Sequence, residues 1–307
     1  MFFGTPAWAV PSLNALIASP LHVAAVVTNP DRPTGRAQRL TPPTVKTAAL
    51  DAGVPVLQPE KVRDPEFEAA LRDLAPEVCP VVAFGRILPA SLLAVPPRGF
   101  VNLHFSLLPA YRGAAPVQRA VMAGETKTGI STMVLTEGMD EGPLLARLEV
   151  PIQPGETAGE LGARLAELGA EVLVESLTSY LDRTLEPVPQ DDASATYAPK
   201  ITTEEARIRW TDDAASIAAL VRGTNPEPGA WTTHGGTRIK IFAVAPLDTD
   251  DATETSRPGV LAPGRALVVG TGTSPLVISE AQRAGGRRMS GTELALGLRM
   301  APGDAFG

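Results

Sequence analysis

Residues 99–116 read GFVNLHFSLLPAYRGAAP. Side chains along a strand repeat every two residues. A strand over the first seven therefore puts Asn102 and His104 on one face and turns Leu103 and Phe105 into packing on the other. Pro109 ends the strand, because proline supplies no donor to a ladder. A carboxamide and an imidazole thus stand together near a strand end. In open parallel α/β sheets, ligands bind beyond the carboxyl ends of the strands. The same pair also suits a structural role, bonded to nearby backbone, and this stretch alone leaves both readings open.

Working outward, Phe2-Phe3 runs into a Gly4-Thr5-Pro6 turn. Residues 7–18 have helical character, with Trp8, Leu13, Leu16 and Ile17 as core candidates. Residues 22–28, HVAAVVT, are a buried-type strand, and β-α-β begins a parallel sheet. No G-x-G-x-x-G fingerprint is present. Further strands are expected at 54–57 and 78–84, and helices at 44–52 and 64–74, the latter capped by Asp64 with Pro65 in its first turn. Downstream come a helix at 115–123, strands at 129–135 and 144–150, and a long helix at 157–181 with Leu161, Leu165, Leu168, Val172 and Leu173 on its apolar face. The expected class is α/β, an open, mostly parallel, doubly wound sheet over residues 1–182. Composition then shifts to Pro, Asp, Ser and Thr, which reads as a linker over 183–203. Residues 204–307 carry a strand at 208–210, a helix at 213–221 and five short strands at 230–233, 237–244, 259–261, 266–269 and 275–282. Short strands with Gly/Pro turns suggest a C-terminal OB-like β-barrel.

The chain of 307 residues has 44% hydrophobic and 20% charged residues, the balance of an ordinary globular protein. No apolar run approaches the roughly 20 residues that span a bilayer. The single cysteine, Cys79, rules out an internal disulfide and fits a reducing, cytoplasmic setting. The net charge of −7 argues against indiscriminate binding to nucleic acid. Its distribution is uneven: residues 1–199 hold 15 Lys+Arg against 22 Asp+Glu, whereas residues 200–307 hold 12 of each. Two basic loops stand out. Residues 29–43, NPDRPTGRAQRLTPP, carry Arg32, Arg36 and Arg39 in a connection longer than the usual two to six residues. Residues 283–288, RAGGRR, end in Arg287 and Arg288. Either loop reads as a solvated surface or as a contact for a phosphate backbone.

Between the strands at 129–135 and 144–150 lies Gly138-Met139-Asp140-Glu141-Gly142. Asp140 is expected on the same rim of the sheet as Asn102 and His104. An Asn amide can donate to a developing oxyanion, a His can carry a proton near neutral pH, and a carboxylate can orient the imidazole. The trio suits acyl-type transfer to an amine without a covalent enzyme intermediate. No G-x-S-x-G elbow and no cluster with metal-ligand spacing is present, so no metal is expected.

With these residues in view, the chain resembles the folate-dependent formyltransferases, and among them the methionyl-tRNA formyltransferases. The likeness is carried by GTPAWAVPSL, NPDRPTGR, VVAFGRILP, NLHFSLLPAYRGAAPVQRA, TGISTMVLTEGMDEGPLL, TYAPKIT, EEARIRW and the terminal MAPGDAFG. It implies formyl transfer from 10-formyltetrahydrofolate to the α-amino group of methionyl initiator tRNA. By the same resemblance Asn102, His104 and Asp140 match the catalytic residues. Ser106, Leu107, Leu108 and Pro109 match a folate-contacting turn, and Arg86, Ile87 and Leu88 would line the pterin pocket. Arg36, with Arg32 and Arg39, would meet the acceptor end of the tRNA, and the C-terminal domain would hold its arm through residues such as Arg287 and Arg288. The competing readings are a formyltransferase for a sugar-nucleotide amine, a 10-formyltetrahydrofolate hydrolase, and a non-catalytic tRNA-binding module.

Overall fold

The structure, a computed structural model, describes residues 1–34, 38–247, 257–262 and 266–307. The chain opens with strand β1 (Phe2–Gly4), helix α1 (Val10–Ala18) and strand β2 (Val26–Val27). Strands β3 (Arg32–Thr34) and β4 (Arg39–Thr41), helix α2 (Thr44–Asp51), strand β5 (Val56–Leu57) and helix α3 (Pro65–Asp73) follow. Next come β6 (Cys79–Val82), α4 (Ala90–Leu93), β7 (Phe100–His104), α5 (Pro116–Met122), β8 (Lys127–Val134), β9 (Leu144–Pro151) and α6 (Ala158–Leu181). Seven strands form one sheet in the order β5-β2-β1-β6-β7-β8-β9. The neighbours from β5 to β7 are parallel, and β8 and β9 are antiparallel additions at one edge. The expected open, mostly parallel sheet is therefore present.

Both faces of the sheet are covered, as a doubly wound fold requires. On one face Phe3, Phe84 and Phe100 meet Phe67 and Leu71 of α3 and Leu92 of α4 in a single buried cluster. Asp64 caps α3 by accepting from the Glu66 N–H. On the other face Leu103 lies so close to α6 that a Cβ on Gly169 would stand 2.9 Å from its side chain. Trp8 packs where Gly162 leaves no side chain, and its ring meets Phe105 edge-on at 5.9 Å. Thr132 of β8 shares a hydrogen bond with Ser176 of α6 at 2.9 Å. Among the described residues no helix is long and apolar enough to cross a membrane.

Cys79 is wholly buried in this sheet, and burial pushes its thiol up to about 11. At pH 8 only about one thiol in a thousand is then the reactive thiolate. The native protein should resist iodoacetamide at that pH and react fully in guanidinium. Labelling of the native state on the timescale of a free thiol would contradict this burial.

The chain divides into two compact units. The first comprises Met1–Pro116, Lys127–Pro151 and Gly162–Pro199, and the second comprises Val117–Thr126, Ile152–Leu161 and Lys200–Gly307. Of the stretch expected as a linker over 183–203, residues up to Pro199 group with the first unit and those from Lys200 with the second. The reason is polar pairing that composition does not reveal: Thr196 O accepts from the Arg112 N–H at 2.8 Å, and the Ala198 N–H donates to Arg112 O at 2.7 Å.

The second unit holds α7 (Ala214–Gly223), β10 (Ala230–His234), β11 (Thr237–Pro246), β12 (Leu261–Ala262), β13 (Leu267–Val269), β14 (Leu276–Arg283), β15 (Met289–Ser290) and α8 (Gly291–Leu298). Its strands pair antiparallel in the order β10-β11-β14-β13-β12, with β15 on β14. Ile208, Trp210, Ile217, Val221, Ile239, Ile241, Val269 and Ile278 are among the residues of its core. Three local expectations change. Residues 208–210 are no strand: Arg207 makes one isolated bridge to Trp231, and Trp210 is fixed instead by its indole N–H on Thr232 Oγ1. The basic loop at 29–43 contains the hairpin β3–β4, with Arg32 opposite Thr41 and Thr34 opposite Arg39. Helix α8, not expected, starts from a capping box between Ser290 and Glu293.

Candidate active site

Strand β7 carries the site at its carboxyl end. Phe100 sits in the aromatic cluster, Asn102 is half-buried two residues on, and His104 is buried two beyond that, all on one face. Leu103 and Phe105 are buried on the other face, as the alternation predicts. Register places Asn102 opposite Met133 and His104 opposite Ser131.

Asp140 arrives by a different route from the one expected. Because β8 runs antiparallel to β7, with Val101 opposite Val134, the loop after β8 leaves from the amino end of β7 and not from the carboxyl rim. It folds back over the sheet face, and Asp140 Oδ2 lies 3.6 Å from His104 Nδ1. The Gly113 N–H donates to the same carboxylate oxygen at 2.8 Å. On the other side of the ring, His104 Nε2 lies 2.9 Å from Tyr111 O. A carbonyl only accepts, so Nε2 carries the hydrogen and Nδ1 is the nitrogen left to exchange a proton, facing the carboxylate. Tyr111 and Asp140 both adopt left-handed backbone, with φ of 60° and 56°. Non-glycine residues there cost about 1–3 kcal/mol each and persist where surroundings over-determine them, which is common at functional sites.

The turn after β7 is tied to the sheet. Ser131 Oγ donates to Ser106 O at 2.7 Å and accepts from the Leu108 N–H at 3.0 Å. Ser106 Oγ donates to Ala110 O at 2.6 Å. Leu107 lies against Gly129 of β8, where a side chain would clash with it. Ser106 and Leu108 are fully enclosed, whereas Leu107 and Pro109 are half-buried. Among the described residues the Asn102 carboxamide has no hydrogen-bond partner, so its donors are available to a ligand oxygen beside His104.

The remaining expected residues lie on other loops and strands. Arg86 donates to Pro59 O and Glu60 O, both at 3.0 Å, and so braces the loop after β5. Ile87 is exposed at 74%, large for an apolar side chain, and Leu88 belongs to the aromatic core. Arg32 and Arg39 are exposed on the hairpin, and Arg36 lies outside the described residues. Asp31 roots that hairpin: Lys46 Nζ meets both its oxygens at 2.8 Å and Gln58 Nε2 one of them at 2.8 Å. The Gln58 and Lys46 hydrogen bonds hold its carboxyl below the usual range. In the second unit Arg287 is exposed, 3.7 Å from Glu293, while Arg288 stacks on the Phe242 ring at 3.6 Å and pairs with Glu280. The sequence reading passes over Arg112, Gln190 and Thr196, which surround the trio.

A buried imidazole with one free nitrogen against a carboxylate, beside an available amide donor, is equipped to stabilise a developing oxyanion and move a proton. Residues 1–177 match the family model described as formyl transferase, and residues 200–299 match its C-terminal domain. The chain belongs to the formyl transferase family. A methionyl-tRNA formyltransferase of Streptomyces coelicolor is 48% identical over 310 residues, spanning 100% of this chain and 99% of that protein. One of Frankia casuarinae is 46% identical over 322 residues, spanning 100% of this chain and 96% of that protein. Among solved structures, an N-formyltransferase from Helicobacter canadensis, in complex with folinic acid and dTDP-3-aminofucose, shares the fold. Its TM-score is 0.65 at 17% identity, over 92% of this chain and 98% of that one.

Proposed function

We propose that the protein transfers the formyl group of 10-formyltetrahydrofolate to the α-amino group of methionyl initiator tRNA, the modification that prepares it for translation initiation. The observation that carries the reading is the grouping of Asn102, His104 and Asp140 within a chain whose relatives match it end to end. The donor substrate supplies a formyl carbon already activated on nitrogen, so this chain need form no covalent intermediate. Asn102 donates to the formyl oxygen as the amine adds and that oxygen gains charge. His104 supports the same charge and exchanges a proton at Nδ1, while Nε2 stays on Tyr111 O. Asp140 holds the imidazole and stabilises its cationic form as the amine loses a proton and the folate nitrogen gains one. Leu107, Pro109 and exposed Ile87 offer the apolar contacts that the folate ring needs.

The assay is direct. Incubation with 10-formyltetrahydrofolate and charged initiator tRNA should give N-formylmethionine by mass spectrometry. Product only on a sugar amine, release of formate to water, or no product with any acceptor would each replace this reading with one of its competitors.

Arg32, Arg36 and Arg39 serve in this reading as phosphate partners for the tRNA. Arg36→Ala should raise KM for tRNA with little change in kcat, since phosphate contacts position the ligand. Removing one arginine–phosphate pair should flatten the log–log dependence of binding on salt by about 0.7–0.9. An unchanged KM and salt slope would remove Arg36 from the tRNA site.

A further inference from the structure

The loop that carries Asp140 is held from outside the trio. Gln190 Nε2 donates to Asp140 O at 2.8 Å and to Gly142 O at 2.7 Å, and it also lies 3.8 Å from Met133 Sδ. Gln190 Oε1 accepts from Arg112 Nε at 3.1 Å and from Nη2 at 2.8 Å. Both donors and both lone pairs of the carboxamide are therefore used. Only this orientation works, because the opposite one would press the amide N–H groups against a guanidinium. Arg112 is itself enclosed, with 2% of its side chain exposed, and its Nη2 pairs with Asp192 Oδ1 at 2.7 Å. A buried charge demands such partners.

The same segment also pins the other side of His104. Thr196 Oγ1 accepts from the Tyr111 N–H at 2.8 Å, and Tyr111 O is the partner of His104 Nε2. Residues 190–197 thus fasten both left-handed residues that flank the imidazole.

We propose that Gln190 is the positioning residue of this site, its carboxamide holding the loop in the left-handed turn that aims Asp140 at His104 Nδ1, with Arg112 anchoring the carboxamide from behind. Nothing in its chemistry makes Gln190 a catalytic group, as its polar atoms are spent on protein partners. Its effect on rate passes through Asp140. A displacement of about 1 Å in such a group can cost about 100-fold in rate.

The kinetic part of the test rests on the function proposed above, whereas the exchange part does not. Gln190→Ala should lower kcat about 100-fold with KM for both substrates unchanged. Gln190→Glu retains an acceptor for Arg112 but offers no donor to Asp140 O and Gly142 O, so it should lose as much. In an Asp140→Asn background, adding Gln190→Ala should cost nothing further, since both changes act through one carboxylate. By hydrogen exchange, the Gly113 amide, which donates to Asp140, should lose protection in Gln190→Glu while the amides of β7 keep theirs. An unchanged kcat in either variant, an equal fold-loss in both backgrounds, or loss of protection across β7 would overturn the proposal. An inactive wild-type protein would instead remove the functional reading and leave the exchange result to decide on the clamp.

Discussion

His104→Ala should lower kcat for formyl transfer by about 100- to 10,000-fold, the range that one positioned acid–base group supplies. Binding of the folate substrate should hardly change. The ring is buried and doubly engaged, with Nε2 on Tyr111 O and Nδ1 toward Asp140, so in the proposed mechanism its loss removes proton exchange more than substrate affinity. Asn102→Ala should cost about 100- to 1,000-fold, as expected when one oxyanion donor is removed. Asp140→Asn is the sharper partner, because asparagine retains an acceptor for the Gly113 N–H and removes only the charge. Single-turnover rates measured with saturating tRNA separate chemistry from binding. Near-normal rates in all three variants would sink the assignment of the trio.

The composition of this site was partly legible in the sequence, and its assembly was not. Alternation over residues 99–105 placed Asn102 and His104 on one face, and β7 has them there. Apolar runs marked the buried strands, and Asp64 marked a helix start, because those signals are local. Strand direction is not local. Nothing in residues 127–151 announces that β8 and β9 run against β7, so the path of the Asp140 loop had to come from the register. Gln190 was hidden for a related reason. It stands among Pro, Asp and Ser residues that look like a linker, and its role exists only once Arg112 and Asp140 are brought to it. The hairpin β3–β4 contains proline and no Asn-Gly or Asp-Gly turn, so propensity pointed to a loop. At 208–210 the error ran the other way: a strand-like Ile-Arg-Trp run is held by core packing and one bridge, not by a ladder.

Phe3→Ala should be the most destabilising simple truncation in the first unit. Its strand is central, paired with β2 on one side and β6 on the other. The ring is wholly buried and meets Phe67, Phe84 and Phe100 edge-on, with centroids 6.4, 5.4 and 5.1 Å away. Emptying such a position costs about 3–5 kcal/mol, part of it the cavity that a rigid sheet cannot close. Each edge-on pair adds about 0.5–1.5 kcal/mol beyond the area buried. At about 2–4 °C per kcal/mol for a unit of this size, the melting temperature should fall by about 10 °C or more. Leu50→Ala, also an apolar truncation but on the exposed side of α2, should stay within about 0.5 kcal/mol of the parent. Phe100 joins the cluster and shares a sheet face with Asn102 and His104, so slack at Phe3 reaches the strand that carries the chemistry. Activity of Phe3→Ala should therefore fall with temperature well before the parent's does. Equal melting temperatures for the Phe3 and Leu50 variants would mean that the aromatic cluster does not hold the sheet together.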